Sequence, residues 1–194
     1  MSLAKPDRVT ADEFLPWAMR QPERYELVDG RIVRAMTGAR QSHNVVVANI
    51  VASFVPQLKR SGCRTTASDT AVRTSAYGIR YPDVVIDCGP SDPSALAASE
   101  PRIIVEVTSR STSAIDATDK LDEYKALASV QAIVLVEPDV VSVKVYRRAG
   151  GRWTAEWFAS LDDSVPFPEV GAVLSLSDLY DTLEPGKRPP LQPL

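Results

Sequence analysis

The run PRIIVEVTSRST, residues 101–112, most constrains what this chain can fold into. Ile103, Ile104, Val105 and Val107 form an apolar stretch that a proline opens and a polar cluster closes, the composition of a buried strand. Glu106 stands inside it. Side chains alternate along a strand, so Ile104, Glu106 and Thr108 share one face while Ile103, Val105 and Val107 share the other. A carboxylate placed there must be neutralised, paired or bound to a cation, because burying an uncompensated charge costs on the order of several kcal/mol.

The rest of the chain supplies the elements around that strand. Thr10 and Glu13 have the spacing of a capping box before a short amphipathic helix carrying Phe14, Leu15, Trp17 and Met19, with Pro16 expected near its first turn. RYELVDGRIVRA alternates across Asp29-Gly30 and predicts a hairpin with Glu26 on its first arm. From Ser42 to Arg60, Val46, Val47, Ile50, Val51, Phe54, Val55 and Leu58 recur at helical spacing, and Gly62 is a stop signal. CRTTASDTAVRT is strand-like, Tyr77-Gly78 is a turn, and RYPDVVIDC is expected to be one strand; SDPSALAASE is a loop. After the opening strand come a polar linker, a helix from Asp116 to about Ala128, the buried strand AIVLVEP, and a hairpin of VVSVKVYRR and RWTAEWF around Gly150-Gly151. A short helix is expected after Ser177, and EPGKRPPLQPL is too rich in proline to pack regularly. The order of elements predicts an α/β (α+β) mixed sheet with helices against it rather than strict strand–helix alternation. The expected organisation is a single domain over residues 10–183, between an N-terminal segment and the proline-rich tail.

With 194 residues, 44% of them hydrophobic, the chain can bury a real core. It has no apolar run near the roughly 20 residues that span a bilayer, and MSLAKPDRVTADEF lacks a signal-peptide core, so a cytoplasmic location is expected. Cys63 and Cys88 are too few for a disulfide framework and are expected to be free thiols. A net charge of -3, from 22 Lys plus Arg against 25 Asp plus Glu, gives no general attraction to nucleic acid or anionic membrane, so contact with DNA requires a local patch. Glycine-rich phosphate loops and dinucleotide fingerprints are missing from the sequence.

In RYPDVVIDC, alternation puts Asp83, Val85 and Asp87 on one face, so Asp83 and Glu106 converge if their strands are neighbours. Two adjacent carboxylates repel, and a shared proton, a basic side chain or a divalent cation relieves them; hard oxygen ligands favour magnesium or manganese. On the following helix Ala117, Leu121, Tyr124, Leu127 and Ala128 form the apolar stripe, and Lys120 falls between Tyr124 and Leu127 in angle. It either reaches the acids or snorkels to solvent. His43, the sole histidine, aligns with Val47, Ile50 and Phe54; a hydrogen-bonded core or capping role is its first expectation, an accessory role at the site its second. A lysine, two or three acids and a metal suit phosphodiester hydrolysis.

Taken in order, YELVDGRIV, the S-H-N at a helix start, YPDVVI, IIVEVTSRST and DATDKLDEYKAL followed by AIVLVEP resemble the bacterial Uma-two family of restriction-endonuclease-like proteins, within the PD-(D/E)xK nuclease superfamily. The resemblance covers about residues 10–183. It implies a restriction-endonuclease-like central mixed β-sheet flanked by helices, with Asp83 matching the acid of the Pro-Asp half-motif, Glu106 the second acid and Glu26 the acid of the tyrosine-glutamate hairpin. Thr108 departs from the superfamily pattern, standing where E-x-K would carry lysine; in this family the lysine lies on the following helix, at the position of Lys120. Val130-Gln131-Ala132 replaces a tyrosine-tryptophan pair common among members.

The expectation is therefore a magnesium-dependent endodeoxyribonuclease, with manganese as substitute: Asp83 and Glu106 hold metal, Lys120 assists water or phosphate, Glu26 supports the site and His43 is accessory. DNA is the expected partner, Arg73, Arg80, Arg102 and Arg110 are the basic candidates to meet it, and a homodimer would suit cleavage of two strands. The alternatives are a catalytically silent nuclease-fold binding module and a phosphodiesterase for a small phosphorylated substrate.

Overall fold

Alternation along the opening strand decides the layering. In the computed structural model, residues 8–35, 38–108 and 114–186 are described, 114–117 by backbone alone. Strand β7 (Pro101–Val107) lies inside a six-stranded mixed sheet with β6 (Val84–Asp87), β3 (Arg64–Ala67), β8 (Ala132–Glu137), β9 (Ser142–Ala149) and β10 (Arg152–Phe158), in the order β10-β9-β8-β7-β6-β3. Only β7 and β8 run parallel, the crossover between them being helix α3 (Ala114–Ala126); the other pairs are antiparallel.

One face of this sheet, carrying Ile103, Val105, Val134 and Val145, packs on helix α2 (Gln41–Gln57) through Val46, Ile50 and Phe54. The opposite face, carrying Val85, Ile104 and Ile133, packs on Tyr124 of α3. Burying an apolar side chain of this size contributes roughly 1.5–3 kcal/mol, so these two apolar layers fix which way Glu106 points.

A second, four-stranded sheet, in the order β2-β1-β5-β4, combines the hairpin β1 (Tyr25–Val28) and β2 (Arg31–Arg34) with β4 (Val72–Ser75) and β5 (Gly78–Arg80). The Asp29-Gly30 turn has φ of 49° and 77°, the positive pair that a two-residue hairpin connection requires. Helix α1 (Ala11–Ala18) covers this sheet with Phe14 and Leu15 against Leu27 and Ile79. Thr10 and Glu13 close its capping box reciprocally, as expected, but Pro16 sits beyond the first turn. Its missing N–H faces the exposed side of the helix, where Asp12 lies, and Phe14 and Leu15 anchor the other side.

Several sequence expectations need correction. RYPDVVIDC is not one strand: the chain leaves β5 at Arg80 and enters β6 at Val84, in the other sheet. The hairpin of β11 (Ser164–Phe167) and β12 (Ala172–Ser175) is absent from the sequence reading, and the last helix, α4 (Leu176–Leu179), starts earlier than expected because Ser175 caps it. Cys63 and Cys88 are not free thiols but a disulfide. The pairing Arg64↔Asp87 puts the two cysteines opposite each other just beyond the ladder, with Cα atoms 4.0 Å apart. Among the described residues no helix is long and apolar enough to cross a membrane. The linker after β7 lies largely outside the described residues, with Arg110 in it, as does the tail from residue 187.

Candidate active site

Register brings the acids together. Val84 pairs with Val105 and Val85 with Ile104, so continuing the antiparallel ladder by one step sets Asp83 opposite Glu106. Asp83 is fixed there by its own acceptor chemistry: Oδ2 takes a hydrogen bond of 2.7 Å from the backbone N–H of Val107. On its other side, His43 Nε2 lies 3.3 Å from Oδ1. His43 comes from the first turn of α2, and its pKa is raised, chiefly by the hydrogen bond to Asp83, with burial opposing and the charge of Glu106 adding.

The Glu106 carboxyl is pushed up to about 7. Burial is the main cause and the charges of Asp83 and Glu26 add to it, while the Lys120 ammonium and the Tyr124 hydroxyl oppose. That hydroxyl donates to Glu106 Oε1 at 2.7 Å. Burial and the same Glu106 charge raise the tyrosine's own pKa well above its usual value, so it stays a donor.

Glu26 enters from β1 in the four-stranded sheet. Its Oε1 lies 3.1 Å from Lys120 Nζ and its Oε2 accepts from Arg80 Nη1 at 2.9 Å. Arg80, 2% exposed, also grips Glu123 of α3 with Nε at 2.9 Å and Nη2 at 2.6 Å, a forked contact. Thr74 of β4 donates a further hydrogen bond to Glu123. Arg80 thus rivets the four-stranded sheet to α3 beneath the site.

The structure therefore brings Glu26, Asp83, Glu106, Lys120 and His43 into one cluster, with Lys120 in direct contact with Glu26. Arg80 is not a basic arm for DNA, because its charge is consumed by Glu26 and Glu123. Arg73 is paired with Asp12, and Arg102 is half-buried. Sequence reasoning missed Arg80, Glu123 and the hydroxyl of Tyr124 as parts of the site. One signal was available: Glu123 and Tyr124 stand three and four residues after Lys120, the spacing at which helical side chains are neighbours.

Comparison with known proteins gives one family and one architecture. A family model described as "Putative restriction endonuclease", Uma2, matches residues 11–177. An uncharacterized protein of Synechocystis sp., slr1290, is 30% identical over 176 residues, covering 89% of this chain and 92% of its own. A second from the same source, sll1609, is 25% identical over 78% of this chain and 88% of its own. The fold is similar to the crystal structure of a "putative nuclease belonging to DUF820" from Anabaena variabilis, with a TM-score of 0.70 and 23% identity, over 89% of this chain and 97% of that one.

Proposed function

The chain belongs to the Uma2 family, and from that premise we propose that it is a metal-dependent, endonuclease-like hydrolase of phosphodiester bonds, with DNA as substrate. The observation that carries the proposal is the opposition of Asp83 and Glu106 across β6 and β7, with Glu106 pushed up to about 7. As packing, two facing acids are inferior to an apolar pair. As a cation site they are well chosen.

Asp83 and Glu106 would hold magnesium, or manganese in its place. Among the described residues no three His, Cys, Asp or Glu side chains gather as a metal cluster. A pair of carboxylates fits an ion that uses one or two and keeps several waters. Bound there, the ion supplies charge neutralisation at the phosphoryl oxygens and a more acidic water.

The protein's own groups do the positioning. The Val107 N–H and the Tyr124 hydroxyl orient the two carboxylates, each through a hydrogen bond of 2.7 Å. Lys120 presents an ammonium beside them for the phosphate or the attacking water. Glu26, itself clamped by Arg80, restricts where that ammonium can go. His43 is a second positive group next to Asp83 when protonated.

Incubation of varied DNA substrates with magnesium or manganese tests the reading, comparing wild type with Asp83→Ala, Glu106→Gln and Lys120→Ala. The expected result is metal-dependent cleavage by the wild type and its loss in all three variants. Equal activity in the four proteins removes this site.

A further inference from the structure

The cross-strand register carries the face of Glu106 well past the site. Glu106 pairs with Leu135, Leu135 with Lys144, and Lys144 with Trp157, one row across β7, β8, β9 and β10. Paired residues point to the same face, so the row that begins at the acid ends at an indole on the sheet's edge strand.

That end of the row has an unusual surface. Trp157 is 54% exposed. Lys144 Nζ stands 4.5 Å from the ring centres of both Trp157 and Tyr146, and Lys125 Nζ of α3 approaches Tyr146 at the same 4.5 Å. Among the described residues neither lysine forms an ion pair with a carboxylate. The adjoining Arg148 is a different case: it lies over Trp153 and spends its donors on the carbonyls of Lys125, Leu127 and Val130, holding the end of α3. Glu137, the acid on the same face one row away, accepts from the Ser142 hydroxyl.

We infer that Lys144, Trp157 and Tyr146, with Lys125, form a stacking platform for unpaired nucleotides of the nucleic-acid strand whose phosphate lies at Glu106. This rests on the nuclease reading of the site and deepens it. An exposed indole flanked by ammonium groups is the chemistry of single-strand binding, the ring stacking on a base and the cations following phosphates, while half-buried Tyr146 seats both lysines beside it. The overall charge of -3 makes such a local patch necessary. Its distance also suits the task. Three strand spacings of about 4.8 Å separate Glu106 from Trp157, roughly 14 Å. Leu135, midway along the row, packs in the apolar cluster under α3, so the nucleic-acid strand passes beside the helix and needs at least about four nucleotides at about 3.4 Å each.

Anisotropy titration with a fluorescent single-stranded oligonucleotide tests the platform. It is made in EDTA, on the Glu106→Gln protein, so that neither metal nor cleavage enters. Trp157→Ala should weaken binding by about tenfold, and Trp157→Phe should restore most of it. Lys144→Ala should reduce the slope of log affinity against log salt by about 0.7. Val55→Ala, on exposed α2 at the opposite face, is the control and should bind like its parent. Circular dichroism melting confirms that each variant is folded. Unchanged affinity in Trp157→Ala, an equal loss in Val55→Ala, or no oligonucleotide binding at all overturns the platform. Binding that depends on Trp157 in a protein whose wild type never cleaves would refute the nuclease reading and leave the platform standing.

Discussion

Replacing Glu106 by glutamine should make the metal-free protein more stable at the same time as it disables the site. The carboxyl rises from 4.5 to about 7 on folding. Between those values the native state binds more protons than the unfolded chain, so wild-type stability falls as pH rises through this window and is restored as pH falls. At about 1.36 kcal/mol per pKa unit the full penalty is about 3 kcal/mol, reached near pH 8, while at pH 5 it is under about 1 kcal/mol. Glutamine carries no charge to desolvate, and its amide oxygen can still accept from Tyr124. Urea unfolding of both proteins in EDTA at pH 5 and pH 8 measures the difference, other titrating groups cancelling between them. The variant should gain little at pH 5 and up to about 3 kcal/mol at pH 8. Magnesium at about a hundred times its Kd should then add about 2.7 kcal/mol to the wild type and far less to the variant. A gain of equal size at both pH values, or none at pH 8, would refute the claim that burial disfavours the charged form of Glu106.

Arg80→Met strands Glu26 and Glu123 without their shared cation and should cost about 3–5 kcal/mol, read as a lowered urea midpoint. Asp87, 3% exposed, has a depressed pKa: burial raises it, but the N–H groups of Glu100, Gly89 and Ser99 and the charge of Arg64 prevail. Its contribution is complete above its unfolded value and is lost as pH falls through the lower folded one; Asp87→Asn should therefore lose about 1–3 kcal/mol at pH 7 and should flatten the acid limb of the stability curve. The disulfide closes a separation of 25 residues, so Cys63→Ser should cost about 3 kcal/mol, and maleimide should label the denatured wild type only after reduction.

What the sequence disclosed follows the range over which each pattern acts. The capping box of Thr10 and Glu13, the Asp29-Gly30 hairpin and the inward angle of Lys120 are set by neighbours within a few residues, and all three are present. The Cys63–Cys88 bond depends on β3 pairing with β6, a long-range choice that no local pattern announces. Pro166 counts against a strand on composition, yet a two-stranded ribbon with open edges accommodates it in β11.

The deepest miss concerns Tyr81-Pro82-Asp83. Alternation treats RYPDVVIDC as continuous, and it predicts the face of Asp83 correctly even so. Pro82, however, lacks an N–H for the ladder and restricts the residue before it, which favours an interruption where the chain changes sheets. The consequence lies upstream of the break. Arg80 ends β5 in the four-stranded sheet beside Glu26, while Asp83 leads into β6 beside Glu106. Tyr81 and Pro82 therefore separate the clamp on Glu26, the partner of Lys120, from Asp83, the first of the acids that would hold metal. A variant that restores a ladder donor, Pro82→Ala, keeps every charged group and alters only this interruption. It should leave Glu106 and Lys120 in place but lower cleavage more than metal affinity, as judged by kcat against the metal concentration for half-maximal rate. Unchanged kcat with weakened metal binding would place the proline's role at Asp83 instead.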